Sequence, residues 1–193
     1  ENAQALLKEN NASHITDLAL YYGSNENVSW RSRNVTSWVN GTNTGHSTMT
    51  KSELAQGRFF TKQEETNLVK VAVLGSEEKE KIFGASEAIG QKIKIDKQSF
   101  EVIGVMKEKG NVGFENYDRS ILIPIKTMQK LVAGVDYISF IRAKIDQDEN
   151  ITRTINDIEN TLREQHDIKD NSGVSDDFTI RSSAEALDII TSI

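Results

Sequence analysis

The fold turns on the stretch Val69-Lys70-Val71-Ala72-Val73-Leu74-Gly75-Ser76-Glu77-Glu78. A nearly continuous apolar run of strand length that stops at a glycine predicts a β-strand covered on both faces. Ser76 reads as a helix cap, Glu77 and Glu78 suit the positive end of a helix, and Lys79, Lys81 and then Gly84 mark its close. A buried strand therefore passes straight into a helix. Further on, Lys92-Ile93-Lys94-Ile95 alternates polar and apolar residues, Asp96-Lys97-Gln98 turns the chain, and Phe100-Glu101-Val102 leads into Ile103-Gly104-Val105. That pattern predicts a β-hairpin.

Towards the C-terminus, 107–119 is a glycine-containing loop before the apolar strand 120–123, which Pro124, the only proline, closes. Residues 126–133 predict a helix ending at Gly134, and 138–145 another strand. From Asn150, Ile151, Ile155, Ile158 and Leu162 place one apolar stripe on a helix that ends near His166. A short strand at 177–180 precedes a capping box, Ser182 with Glu185, that opens a helix through Ala186, Leu187 and Ile190. Towards the N-terminus, 1–10 reads as an amphipathic helix, and 15–22 and 28–33 as strands split by the polar turn 23–27. A third strand, 37–40, meets a glycine-flanked hinge at 41–45, and a short helix covers 51–56. The class is α+β, in two lobes.

At 193 residues the chain can hold one good core or two small ones. Hydrophobic residues at 37% and 7 Phe, 4 Tyr and 2 Trp exclude a disordered segment. The net charge is -6 and the 23 Lys and Arg are scattered, so no basic stripe exists to follow a phosphate backbone, and nucleic acid is excluded as a partner. The absence of cysteine removes disulfides, thiolate nucleophiles and cysteine-bound metals. Asn-x-Ser/Thr sequons at Asn11, Asn27, Asn34, Asn40 and Asn150 are coincidences of an Asn-rich chain. No apolar run approaches the roughly 18 to 20 residues of a bilayer-spanning helix. The helices at both ends stop short, which predicts that they continue in a longer polypeptide.

Few side chains point to chemistry. His14, His46 and His166 lack a second ligand at metal-binding spacing and read as ordinary surface or capping residues. The pairs Glu64-Glu65 and Asp176-Asp177 read as solvated turns. Gly110-Asn111-Val112-Gly113 lacks the Lys-Ser/Thr and helix start of a phosphate-cradling loop. In the same loop Phe114 and Tyr117 are aromatics that could anchor a partner; the alternative is that they pack back onto the sheet.

The middle of the chain resembles the periplasmic core domain of MacB-type and FtsX-like permeases. The resemblance rests on Leu54-x-x-Gly57-Arg58-Phe59-Phe60, Val71-Ala72-Val73-Leu74-Gly75, Ile82-Phe83-Gly84, Ile89-Gly90-Gln91-x-Ile93, Phe100-x-Val102-Ile103-Gly104-Val105, and Asp118 with Ile123-Pro124. It covers some eighty residues, and Leu162-Arg163-x-x-His166 looks like the family's late segment. It implies a discontinuous Porter-like subdomain, 1–45 and 135–193, with a mixed Sabre-like subdomain, 46–134, inserted in it. It implies further that the end helices continue into transmembrane helices of a permease homodimer in the cell membrane, with this domain on the extracytoplasmic side. ATP would then be bound by an associated nucleotide-binding domain or subunit, with no cofactor in this domain and no catalysis by it. A membrane-fusion-type adaptor is an implied partner, and antibiotics, antimicrobial peptides, toxins or lipoproteins are implied substrates. Two rival readings stay open: a free-standing extracellular peptide- or lipid-binding module, and a metal-assisted hydrolase built on Asp or Glu.

Overall fold

The computed structural model describes residues 2–8, 11–112 and 115–185. In chain order, α1 (Asn2–Leu6) leads to β1 (Ile15–Trp30) and β2 (Arg33–Thr42), then α2 (Gly45–Thr50), β3 (Leu54–Gly57) and α3 (Lys62–Thr66). There follow β4 (Val71–Leu74), α4 (Ser76–Phe83), β5 (Lys92–Ile95) and β6 (Gln98–Met106). A small hairpin of β7 (Asn111–Val112) and β8 (Glu115–Asn116) precedes β9 (Ser120–Pro124) and α5 (Ile125–Thr127), which runs on as a π-helical turn to Ala133. β10 (Phe140–Ile145) and α6 (Ile151–Gln165) complete the described elements. The class is α+β, as expected. By packing, the chain forms two units, 19–142 on the one hand and 1–18 with 143–193 on the other.

In the unit 19–142, β4 lies between β9 and β6, within the strand order β1-β2-β9-β4-β6-β3, and β5 pairs with both β1 and β6. All four β4 residues are buried. Ala72 and Leu74 join one core cluster with Val39, Phe83, Phe100 and Ile121, whereas Val71 and Val73 join a second with Phe60, Ile103, Met106 and Leu122. Alternate side chains of a strand point to opposite faces, so β4 feeds two cores, which explains its continuously apolar reading. α4 closes the first core with Ile82 and Phe83, and Gly84 ends it at φ +58°. Gly75 holds the cap position instead of Ser76, which is the first helical residue.

The hairpin β5–β6 turns at Asp96, φ +49°, and pairs Ile93 with Phe100 as its alternation requires. At β3 the backbone crowds: Gly57 has φ +73°, and a Cβ there would lie 2.1 Å from the Ile103 carbonyl oxygen. Only glycine fits both demands.

Four further expectations are corrected. Residues 23–27 are not a turn, because β1 is one strand paired residue by residue with β2 from Tyr21–Thr42 to Trp30–Arg33. Backbone pairing is indifferent to the polar side chains there, and the real turn is at Arg31, φ +53°. Gly41 and Thr42, expected in a hinge, are strand residues paired in parallel with Ile123 and Pro124. A Cβ on Gly41 would stand 2.4 Å from Met128 Cβ, so this glycine serves close packing. The helix expected at 51–56 is displaced, with α2 before it and β3 in its place. Residues 177–180 are not a strand.

In the unit holding both chain ends, α1 packs on α6 with Ala5, Leu6, Ile158 and Leu162 buried. The stripe predicted from Asn150 to His166 matches α6 and its two cap residues. Arg163 makes a two-pronged ion pair with Asp176, Nε to Oδ1 at 2.9 Å and Nη2 to Oδ2 at 2.7 Å. The Ser182–Glu185 capping box is formed in both directions. The helix predicted beyond it, 186–193, lies outside the described residues.

Candidate functional site

A polar cluster builds up around α2 in the unit 19–142. α2 buries the ring of His46, 1% exposed, with its Nδ1 3.0 Å from the Tyr21 hydroxyl on β1. The Tyr117 ring meets His46 edge-on at 5.0 Å, and Arg142 of β10 donates to the Tyr117 hydroxyl at 3.0 Å. Phe140 stacks on Tyr21 at 4.5 Å. Burial first, then the positive charges of Arg142 and Lys109, push the His46 pKa down to about 3. The imidazole is therefore neutral at ordinary pH, whereas about a quarter of a solvated histidine population would be protonated at about pH 7.

The loop after β6 is tied down next to it. Asp118, 1% exposed, accepts from the backbone N–H of Lys109 at 3.0 Å and of Gly110 at 2.6 Å. Lys109 Nζ donates to the Thr50 carbonyl at the end of α2. Lys107 pairs with Glu53, and a cleft of about 220 Å³ opens there, lined by Lys51, Glu53, Lys107, Lys109, Tyr117 and Asp118. These groups fix loop geometry: donors meet backbone oxygens, and the carboxylate meets backbone N–H groups.

The structure disperses the residues singled out from sequence. His14 Nδ1 lies 2.9 Å from Asp146, and His166 lies 2.6 Å from Asp177, at the end of α6. His46, expected at the surface or in a cap, is instead a core residue. Glu64 and Glu65 are not a solvated turn. Glu64 completes a capping box with Thr61 at the start of α3, and its pKa is lowered to about 2, chiefly by hydrogen bonding to Arg58. Glu65 is 3% exposed and pairs with Lys62 at 2.8 Å. Asp176 is taken up by Arg163. Tyr117 is 4% exposed and packs in the second core, whereas Phe114 lies outside the described residues. The N–H groups in the Gly110 loop converge on Asp118. Among the described residues no group of three or more His, Asp or Glu could hold a metal ion, and no helix is long and apolar enough to cross a membrane.

His46 and Asp118 organise this region; the sequence reading took His46 for a surface or capping residue and met Asp118 only within the family resemblance, with no role. Neither is preceded by a local signal, because their partners lie 25 and 8 or 9 residues away.

The same fold occurs in the periplasmic region of MacB from Actinobacillus actinomycetemcomitans. The TM-score is 0.76 at 24% identity, over 88% of this chain and 74% of that one. It occurs also in the extracellular domain of the ABC-type transporter YknZ from Gram-positive bacteria, with a TM-score of 0.75 at 17% identity, over 86% and 82% of the two chains. The architecture is thus that of extracytoplasmic domains of ABC-type transporters. The family model of the MacB-like periplasmic core domain matches residues 1–161, and the chain belongs to that family. The macrolide export ATP-binding/permease protein MacB of Chlorobium phaeobacteroides is 30% identical over 165 residues, 86% of this chain and 25% of that protein. The chain spans about a quarter of the length of the curated relatives it matches.

Proposed function

We propose that this domain is the extracytoplasmic load of a permease homodimer in the cell membrane, moved by ATP hydrolysis on an associated cytoplasmic subunit or domain. The observation that carries the reading is the match of 1–161 to the family, joined to a fold whose charged groups are used to fix its own loops. The relatives are named ATP-binding/permease proteins, which supports an ATPase partner. The domain itself is a non-catalytic module that binds no cofactor. Flanking helices carry the movement, a rigid-body mode of gating. The family's lobes are proposed as Porter-like at 1–45 with 135–193 and Sabre-like at 46–134. The cargo is an antibiotic, antimicrobial peptide, toxin or lipoprotein, handled with a membrane-fusion-type adaptor.

The complete reading frame tests the placement: apolar stretches of about twenty residues are expected on both sides of the domain, and polar flanks would contradict it. The loop that holds Phe114 is the proposed contact for a partner. Phe114→Ala should reduce retention of the adaptor in a pull-down, and unchanged retention would remove the loop from the interface. Tyr117→Ala is uninformative there, because the ring is part of the core.

A further inference from the structure

We propose that His46 is a buried acid-sensing pin, which holds α2 on the sheet while neutral and releases it when protonated. The proposal goes beyond the transport reading and does not depend on it, since it concerns a local equilibrium of the fold.

The surroundings are built for a neutral ring. From β1 the Tyr21 hydroxyl meets Nδ1 at 3.0 Å. From the segment after β3 comes Phe59, whose ring centroid is 6.3 Å away, and from the turn before β9 comes Tyr117. β10 presents Arg142 and the loop after β6 presents Lys109, both cationic. Asp118, next to Tyr117, is the carboxylate of that turn, and its oxygens are taken by the N–H groups of Lys109 and Gly110. Lys51, at the end of α2 itself, is exposed. Nε2 is buried and has no hydrogen-bond partner among the described residues. A proton here would place a positive charge out of contact with water and close to the half-buried Arg142 and the exposed Lys109, the situation folded proteins avoid by opening or by shifting the group.

α2 is suited to opening. It is six residues long, and its cap residue Thr44 makes no side-chain cap hydrogen bond. Apart from His46, its start is fastened by the Thr44 N–H, which donates to the buried Glu65 carboxylate of α3 at 3.3 Å, and its end by Thr50 to Ser52 and by Lys109 to the Thr50 carbonyl. A helix this short depends on tertiary contacts. In the open form the imidazole would titrate normally, whereas in the closed form its pKa is down at about 3. The sign follows: the closed state is favoured fully above the ordinary histidine range, and that preference is lost as pH falls from there towards the closed-state value. A domain on the outer face of a membrane would meet such acidity directly.

The test is hydrogen exchange of the α2 amides in the chain of residues 1–193, corrected for intrinsic rates. Between about pH 7.5 and about pH 4.5 the opening equilibrium should rise on the order of 100-fold, and in His46→Gln it should stay flat. An equal slope in both proteins, or no slope in the native one, overturns the proposal. If His46→Gln fails to fold, the native imidazole is followed by NMR. Absence of titration in the folded state above about pH 4 supports the pin, and a folded-state titration near the ordinary histidine value contradicts it.

Discussion

Asp118→Ala should lower the stability of the domain by about 3 to 5 kcal/mol, a fall in melting temperature of roughly 10 °C for a chain of this size. The carboxylate is 1% exposed and receives the N–H groups of Lys109 and Gly110, so its removal strands two donors in the loop after β6. Hydrogen bonds to a charged acceptor contribute more than neutral ones, and truncating the buried carboxylate also leaves a gap beneath the loop. Asp118→Asn keeps one oxygen but brings an NH2 towards donors, so it should fall between the native protein and Asp118→Ala. Chemical denaturation of the three proteins measures the order. Near-identical midpoints would mean that the carboxylate does not organise the loop.

Gly75→Ala is expected to destabilise by about 3 kcal/mol or more, for a steric reason. A Cβ at Gly75 would stand 2.3 Å from the carbonyl oxygens of both Tyr117 and Asp118. Backbone atoms cannot swing aside as a side chain can, and Gly75 N–H also donates to the Ser120 carbonyl at 2.8 Å. The turn before β9 would therefore have to leave its place, taking Asp118 with it. Gly90→Ala is the natural control. Gly90 has φ +78° but nothing within 4 Å of its would-be Cβ, so only conformational strain of about 1 kcal/mol is expected. Equal losses at the two positions would show that close approach is not what Gly75 provides.

Gly75 also shows how far the sequence could be read. As the end of a buried run followed by a helix it was legible, because period and length are local properties that β4 and α4 obey. The alternation of β5–β6 and the stripe of α6 were legible for the same reason. β1 was not, because residues 23–27 are strand through their pairing with β2, a partner invisible to a window of sequence. The hinge expected at 41–45 failed likewise: Gly41 is there for Met128, 87 residues on. Burial is the least local property of all. Nothing around His46 or Glu65 announces a core position, since the groups that enclose them come from other elements. The family resemblance reached the overall architecture through Gly57, Phe83, Gly90 and Phe100, which the structure places at a crossing, in the core or at a turn. It could not reach the loop contacts.

The proposed function requires that this domain be moved from outside itself. In the proposed full-length permease, reconstituted in vesicles with the proposed ATP-binding partner, a flexible Gly-Ser insert of about six residues would be placed at each end of the domain, where the proposal puts its joints to the flanking helices. If movement passes through those joints, ATP hydrolysis should persist while export falls to background. Export at the native rate with both inserts present would contradict the account.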